Sequence, residues 1–200
     1  MRLGYKNIYR LPHGYFGWRD ANTRAVYKTE SVRKLTVGDF FPACQLILLN
    51  SKGDKNYLQI QHNDRSISLE DVQSEYLFIE LYNELCYQCL QEVKNYKSLY
   101  TLLNETSSLQ DTVKMMGIGV GSKKRHVAKF RKQHGIQFPL FADENSGIFS
   151  CLGKPTLPTA YLVKRDHNGA RKIIFVQSGH IRSTQELLGK VKSIVAGTAQ

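Results

Sequence analysis

Short apolar runs rich in Val, Ile, Leu, Phe and Tyr recur along this chain, and stretches with helical spacing separate them. That alternation constrains the fold more than any other feature. Cys44 to Leu49 reads as a strand closed by the turn signal Asn50-Ser51-Lys52-Gly53-Asp54, and Tyr57 to Gln61 is expected to pair back across it. Tyr76 to Leu81, Val113 to Val120 and Thr159 to Lys164 read as further strands. Gly117, Gly119 and Gly121 mark close packing or the exit of the second of these. Asp166-His167-Asn168-Gly169 reads as a hairpin turn from which Lys172 to Gln177 returns. Between the strands, Leu90, Val93, Tyr96 or Lys97, Tyr100 and Leu103 recur at three and four, which predicts one apolar helical stripe. Ser122 is the expected N-cap of a helix running to His134, where Gly135 stops it. Gln185 to Val195 reads as a closing helix. Strands alternating with helices, followed by a hairpin and a last helix, predict an α/β domain with a mixed sheet over residues 33–195, with 196–200 as a tail.

Composition narrows the classes. A chain of 200 residues makes one domain, or one domain and an appendage, and buries roughly 70% of its unfolded surface. It needs no disulfides to fold, so four Cys are too few for a secreted disulfide scaffold. With 42% hydrophobic and 22% charged residues it is neither disordered nor fibrous. No apolar run approaches the ~18 residues of a membrane span. Met1 to Arg10 lacks the apolar core of a signal peptide, so the cytoplasm is the expected compartment. The periplasm is the alternative if a portion carrying a signal precedes the sequence.

The thiols therefore read as chemical before structural. Cys86-Tyr87-Gln88-Cys89 follows the strand ending near Leu81 and opens a helix. A Cys at a helix N-terminus sits beside unpaired backbone N–H groups and the positive end of the helix dipole, which favour thiolate over thiol. A second Cys three residues on lies about one turn away on the same face, close enough to close a small disulfide ring. The first thiol would attack a partner disulfide and the second would resolve the mixed disulfide. Two other readings stay open. A zinc half-site would need a second close pair, whereas Cys44 and Cys151 stand alone and His62, His126 and His134 would complete it only by accident of the fold. Inert core thiols are the other.

Further residues carry a resemblance. Ile79-Glu80-Leu81-Tyr82-Asn83-Glu84-Leu85-Cys86 resembles the thioredoxin run V-D-F-W-A-E-W-C. Met116-Gly117-Ile118-Gly119-Val120 and Phe138-Pro139-Leu140-Phe141-Ala142-Asp143 are similar to the alkyl hydroperoxide reductase/thiol-specific antioxidant branch, the redoxins. Leu157-Pro158-Thr159 before a strand resembles the family's cis-proline loop, with Pro155 as a competing candidate. The resemblance spans nearly all of residues 33–195 and implies a thioredoxin fold, a central mixed sheet flanked by helices. It implies Cys86 as nucleophile, Cys89 as resolving thiol, Pro158 as the cis-proline facing the disulfide, and Glu80 as a buried acid that moves a proton for the resolving Cys. The other reading of Glu80 is a surface acid on a strand. Tyr87, Gln88, Leu157 and Thr159 flank these groups and would line the substrate groove. The implied partners are protein disulfides and dithiols, with no cofactor and no metal.

Departures from the pattern matter as well. Leu85 replaces the aromatic residue before the first Cys, and Tyr87-Gln88 replaces Gly-Pro, a pair that tunes the reduction potential. The peroxiredoxin signature P-x-x-x-T-x-x-C is missing, since Ile79 and Asn83 stand seven and three residues before Cys86. A thiol peroxidase using Cys86 is thus the first rival, and a non-catalytic interaction module of the same fold the second. Cys44 and Cys151 read as buried small hydrophobes, with an auxiliary resolving role for Cys151 as the alternative.

Gly4 to Trp18 lies outside that pattern and resembles the closing piece of a rhodanese domain, G-Y-x-N-V-x-x-L-x-G-G-x-x-x-W, with His13 in place of one Gly. No Cys precedes Cys44, so no sulfurtransferase site carries over; the other reading of residues 1–32 is an aromatic arm. The net charge of +11 is concentrated best on the helix after Ser122, where Lys123, Lys124, Arg125, Lys129, Arg131 and Lys132 gather. Arg125, Lys129 and Lys132 form a stripe opposite Val127 and Phe130. A solvated face is the first reading and a preference for acidic protein partners the second. No interleaved aromatics or known module supports nucleic acid binding.

Overall fold

The computed structural model describes residues 33–197. The rhodanese-like run and the rest of the 1–32 extension lie outside them. Among the described residues the elements run β1 (Gln45–Ile47), α1 (Ser51–Leu58), β2 (Ser66–Ser68), β3 (Tyr76–Tyr82), α2 (Tyr87–Glu105), β4 (Val113–Val120), α3 (Lys124–His134), β5 (Leu140–Asp143), α4 (Gly147–Cys151), β6 (Thr159–Arg165), β7 (Arg171–Ser178) and α5 (Thr184–Gly197). The main sheet has the order β5-β4-β3-β6-β7. β3, β4 and β5 are parallel, while β6 runs antiparallel to β3 and β7 antiparallel to β6. This is the expected mixed α/β sheet, and β3 at its centre is buried along its whole length.

Alternation along β3 feeds two cores. Tyr76, Phe78 and Tyr82 join the apolar face of α2 and α5, with Val127 and Phe130 from α3. Leu77, Ile79 and Leu81 point the other way, toward Phe41, Leu46, Leu58 and Leu152. The same period puts Glu80 on the α2 side, between Gly117 of β4 and Ala160 of β6. Gly117 is required there, because a Cβ would come within 2.6 Å of Leu140 Cδ2 and 3.3 Å of the Tyr82 ring. Arg171 is buried at the start of β7 and donates to the carbonyls of Leu69, Val72 and Ser74. Burial pulls its pKa down to about 10, still above neutrality, so the cation ties the 69–75 loop to the sheet.

Three local expectations are corrected. Asn50 to Asp54 starts a helix and does not turn a hairpin: the buried Asp54 carboxylate accepts from Asn50 N–H at 3.1 Å and pairs with Arg131 at 2.8 Å. Tyr57 therefore lies in α1, which ends where Gln59 turns left-handed, and β1 pairs with β2 instead. Ser122 does not cap α3; its hydroxyl donates to Glu84, and Lys123 takes the N-cap position without a side-chain bond. The buried stripe of α2 is Cys89, Glu92, Tyr96, Leu99 and Leu103, rotated from the predicted one so that Leu90 lies exposed. Gly135 does end α3, in the left-handed conformation.

Candidate functional site

The site lies where β3 leaves the sheet. Asn83 shapes its exit loop: its amide donates to Val120 O at 2.7 Å and accepts from Leu85 N–H at 2.8 Å, while its carbonyl accepts from Cys86 N–H at 3.0 Å. The loop delivers Cys86 to the N-cap of α2, where its sulfur accepts from Cys89 N–H at 3.2 Å. A thiol thus takes the place of the usual hydroxyl or carboxylate cap. Cys86 is half-buried, Cys89 is buried, and both are free thiols. Burial, and then the hydrogen bond with Cys86, push the Cys89 thiol well above its ordinary range. The two sulfurs are unequal, an accessible one at the helix end and a proton-bearing one behind it.

Two acids are buried where α2 meets the sheet, Glu80 on β3 and Glu92 on α2 itself. Glu80 is 5% exposed, so the surface reading of this residue is set aside. Desolvation, and then the nearby Glu92 carboxylate, raise its pKa well above the ordinary carboxylate range. Its charge in turn acts on Cys89. Glu92, not foreseen from the sequence, is 1% exposed. One of its oxygens bonds His180 Nδ1, and the other accepts from Ile181 N–H at 3.2 Å and from the Asn95 amide at 2.9 Å. The signal was present in the spacing, since Glu92 follows Cys89 by three and precedes Tyr96 by four.

The third part is the loop before β6. Leu157–Pro158 is a cis peptide, and among the described residues it is the sole cis bond, so Pro155 is not the residue in question. Leu81 pairs with Thr159, which puts Pro158 beside the end of β3 from which Cys86 departs. Pro158 O accepts from Gly179 N–H at 2.9 Å, joining this loop to the one that carries His180. Leu157 is half-buried, and Tyr87 and Gln88 are exposed beside the thiols. Thr159 departs from expectation: it is fully buried and its hydroxyl donates to Thr156 O at 2.6 Å and lies 3.0 Å from Ser178 Oγ, so its side chain is not available to line a groove.

The remaining cysteines divide. Cys44 is half-buried, with its thiol pushed up to about 12 by burial and by neighbouring Asp143 and Cys151. Cys151 is exposed at the end of α4, which corrects its reading as a core residue. Among the described residues no group of three His, Cys, Asp or Glu could hold a metal ion. No helix among them is long and apolar enough to cross a membrane.

Comparison with known proteins agrees with this geometry. The AhpC/TSA family matches residues 37–170. A thiol-disulfide oxidoreductase ResA from Bacillus anthracis is 24% identical over 139 residues, 70% of this chain and 75% of the relative. Its namesake from Bacillus subtilis is 23% identical over 124 residues, 62% of this chain and 64% of the relative. Among solved structures, the thioredoxin domain of a thiol-disulfide oxidoreductase from Bacteroides vulgatus superimposes with a TM-score of 0.57 at 16% identity, covering 81% of this chain and 99% of that one. The fold is the thioredoxin fold.

Proposed function

This chain belongs to the AhpC/TSA family, and we propose that it is a thiol–disulfide oxidoreductase acting on protein partners through Cys86 and Cys89. The observation that carries the proposal is the stacking of roles at one helix end: Cys86 Sγ on Cys89 N–H, Cys89 buried behind it, and Glu80 buried below with a raised pKa. In the first step the Cys86 thiolate attacks one sulfur of a partner disulfide, and the partner's other sulfur leaves as thiolate. The Cys89 N–H, which donates to the Cys86 sulfur in the resting chain, favours that thiolate. In the second step Cys89 gives its proton to Glu80 and attacks Cys86. The Cys86–Cys89 bond forms, the mixed disulfide breaks, and the released partner thiolate takes up a proton. The partner gains two electrons and the chain loses them; the reverse sequence oxidises a dithiol. A raised carboxylate pKa suits Glu80 to this task, because a stronger base accepts a thiol proton more readily. The Leu157–Pro158 loop lies at the same sheet end, beside the exit of β3.

A peroxide cradle fits poorly. Asn83, where the peroxidase pattern has its hydroxyl, is committed to the loop through both ends of its amide, and Ile79 is wholly buried on the opposite face. The test sets reduction of insulin disulfides against consumption of hydrogen peroxide with a thiol donor. Cys89→Ser should trap mixed disulfides with partners, and Cys86→Ser should trap none. Rapid peroxide turnover with no capture by Cys89→Ser would overturn the assignment. The reduction potential sets direction and compartment together. A value well below the cytosolic glutathione poise supports a cytoplasmic reductase, and one well above it supports an exported oxidant.

A further inference from the structure

Among the described residues, Leu85, Tyr87 and Leu90 are exposed by 87%, 72% and 38%, and all three border Cys86. An apolar cluster left in water beside a reactive thiol marks a contact surface. From it a groove of about 450 Å³ runs between the start of α2 and α3, within the size range of ligand sites. Its apolar lining is Leu85, Leu90 and Phe130, and its rim carries His126, Lys129 and His134. The floor is held in place: the Phe130 ring stacks on Tyr82 with centroids 5.0 Å apart, and the His134 ring lies 4.6 Å from Phe130.

The rim has one free sign of charge. Glu84, the acid of the groove, is occupied by Ser122 Oγ and by His126 Nδ1. On α3, Arg131 is spent on Asp54 and on the carbonyls of Ile136 and Gln137. Lys129, on the rim, is exposed, and among the described residues it has no carboxylate within ion-pair distance. We propose that this groove takes the stretch of a partner protein that flanks its reactive cysteine, and that the stretch is acidic with a large apolar side chain. The apolar side chain sits over Phe130 between Leu85 and Leu90, and the carboxylates face Lys129. The proposal rests on disulfide exchange at Cys86 and adds the chemistry of the partner. It also gives a use to part of the chain's net charge of +11. Opposite charge speeds encounter, and the apolar contact holds the complex while sulfur attacks sulfur.

The experiment uses the full chain carrying Cys89→Ser and Cys151→Ser, so that Cys86 is the reacting thiol and the exposed Cys151 does not contribute. Two synthetic peptides each carry one cysteine as a mixed disulfide with thionitrobenzoate, next to Leu and Phe and among either Glu or Lys residues. The Cys86 thiolate attacks the peptide sulfur, the probe's S–S bond breaks, and the coloured thionitrobenzoate anion leaves; peptide mapping places the adduct on Cys86. The acidic peptide should react about tenfold faster than the basic one at low salt, and the ratio should fall toward one at high salt. Changing Leu and Phe to Gly in the acidic peptide should slow it severalfold. Lys129→Glu should abolish the preference, whereas Lys192→Glu on α5, an equal change in net charge, should leave it. A ratio near one in the starting protein, or equal effects of Lys129→Glu and Lys192→Glu, overturns the proposal. So does a dimer of this chain, or a complex with single-stranded RNA, that Lys129→Glu dissolves, because either would name a different occupant. If Cys86 forms no mixed disulfide even with hydroxyethyl disulfide, the exchange reading fails, and this one with it.

Discussion

Glu80 on β3 and Glu92 on α2 are two acids buried between helix and sheet, 5% and 1% exposed, yet they live in opposite circumstances. Glu92 is met by His180, by the backbone of Ile181 and by the Asn95 amide. Glu80 stands between Gly117 and Ala160, and its shift has only desolvation and a like charge behind it. Burial alone does not tell a clamp from a proton carrier; the supply of donors does. Glu92 fastens the loop after β7 to α2 and places a negative charge near Glu80. Glu80, to which no donor among the described residues bonds, is the group our proposal assigns to proton exchange with Cys89.

The comparison can be broken most forcefully at Glu92. Glu92→Ala removes the acceptor shared by His180, Ile181 and Asn95, and should cost about 2–4 kcal/mol in urea unfolding at neutral pH. A loss below about 0.5 kcal/mol would mean that the clamp holds nothing. Next in size is the chemical role of Glu80. Glu80→Gln should lengthen the lifetime of the mixed disulfide by about 100-fold, read by rapid acid quench, with the first attack by Cys86 little changed. An equal loss in both steps would contradict the assignment of Glu80 to the second.

The same substitution sharpens the contrast through stability. The folded pKa of Glu80 lies above its unfolded value, so its contribution to stability is fully present below the unfolded carboxylate range and is lost as pH rises through the folded value. Glu80→Gln should therefore raise stability at pH 8 by roughly 1–2 kcal/mol and change it little at pH 4. A flat difference between the two pH values would show that Glu80 is ionised at no extra cost. The smallest effect is expected at His180, whose side chain is 70% exposed. His180→Ala should cost about 0.5–1.5 kcal/mol, less than Glu92→Ala because the Ile181 and Asn95 bonds remain.

Much of this arrangement was legible in the residues, for reasons that can be named. β3, β4 and β6 are short runs dominated by apolar residues, and Cys86 lies between the end of one of them and a stretch with helical spacing, which puts it at a helix start. Pro158 was legible because a strand follows it at once. What failed did so where one residue serves two rules. Asn50, Gly53 and Asp54 are turn formers, but Asp54 also bonds Asn50 N–H and Arg131, and that pair turns the segment into a helix. Ser122 is a good cap by type, yet Glu84 takes its hydroxyl from across the loop. Glu92 was passed over because a charged residue counts against a buried stripe unless its partners, here 88 or more residues away at His180 and Ile181, are already in place. Local pattern reads periods and turns; it does not read long-range donors.

The measurement closest to the central claim is a redox titration of the intact chain against glutathione or dithiothreitol buffers, with the thiol state of each cysteine read by mass after alkylation. The account predicts one reversible two-electron couple that joins Cys86 to Cys89 and vanishes in Cys89→Ser. A chain in which these two thiols stay reduced across every poise, or oxidise only to separate products, would contradict it.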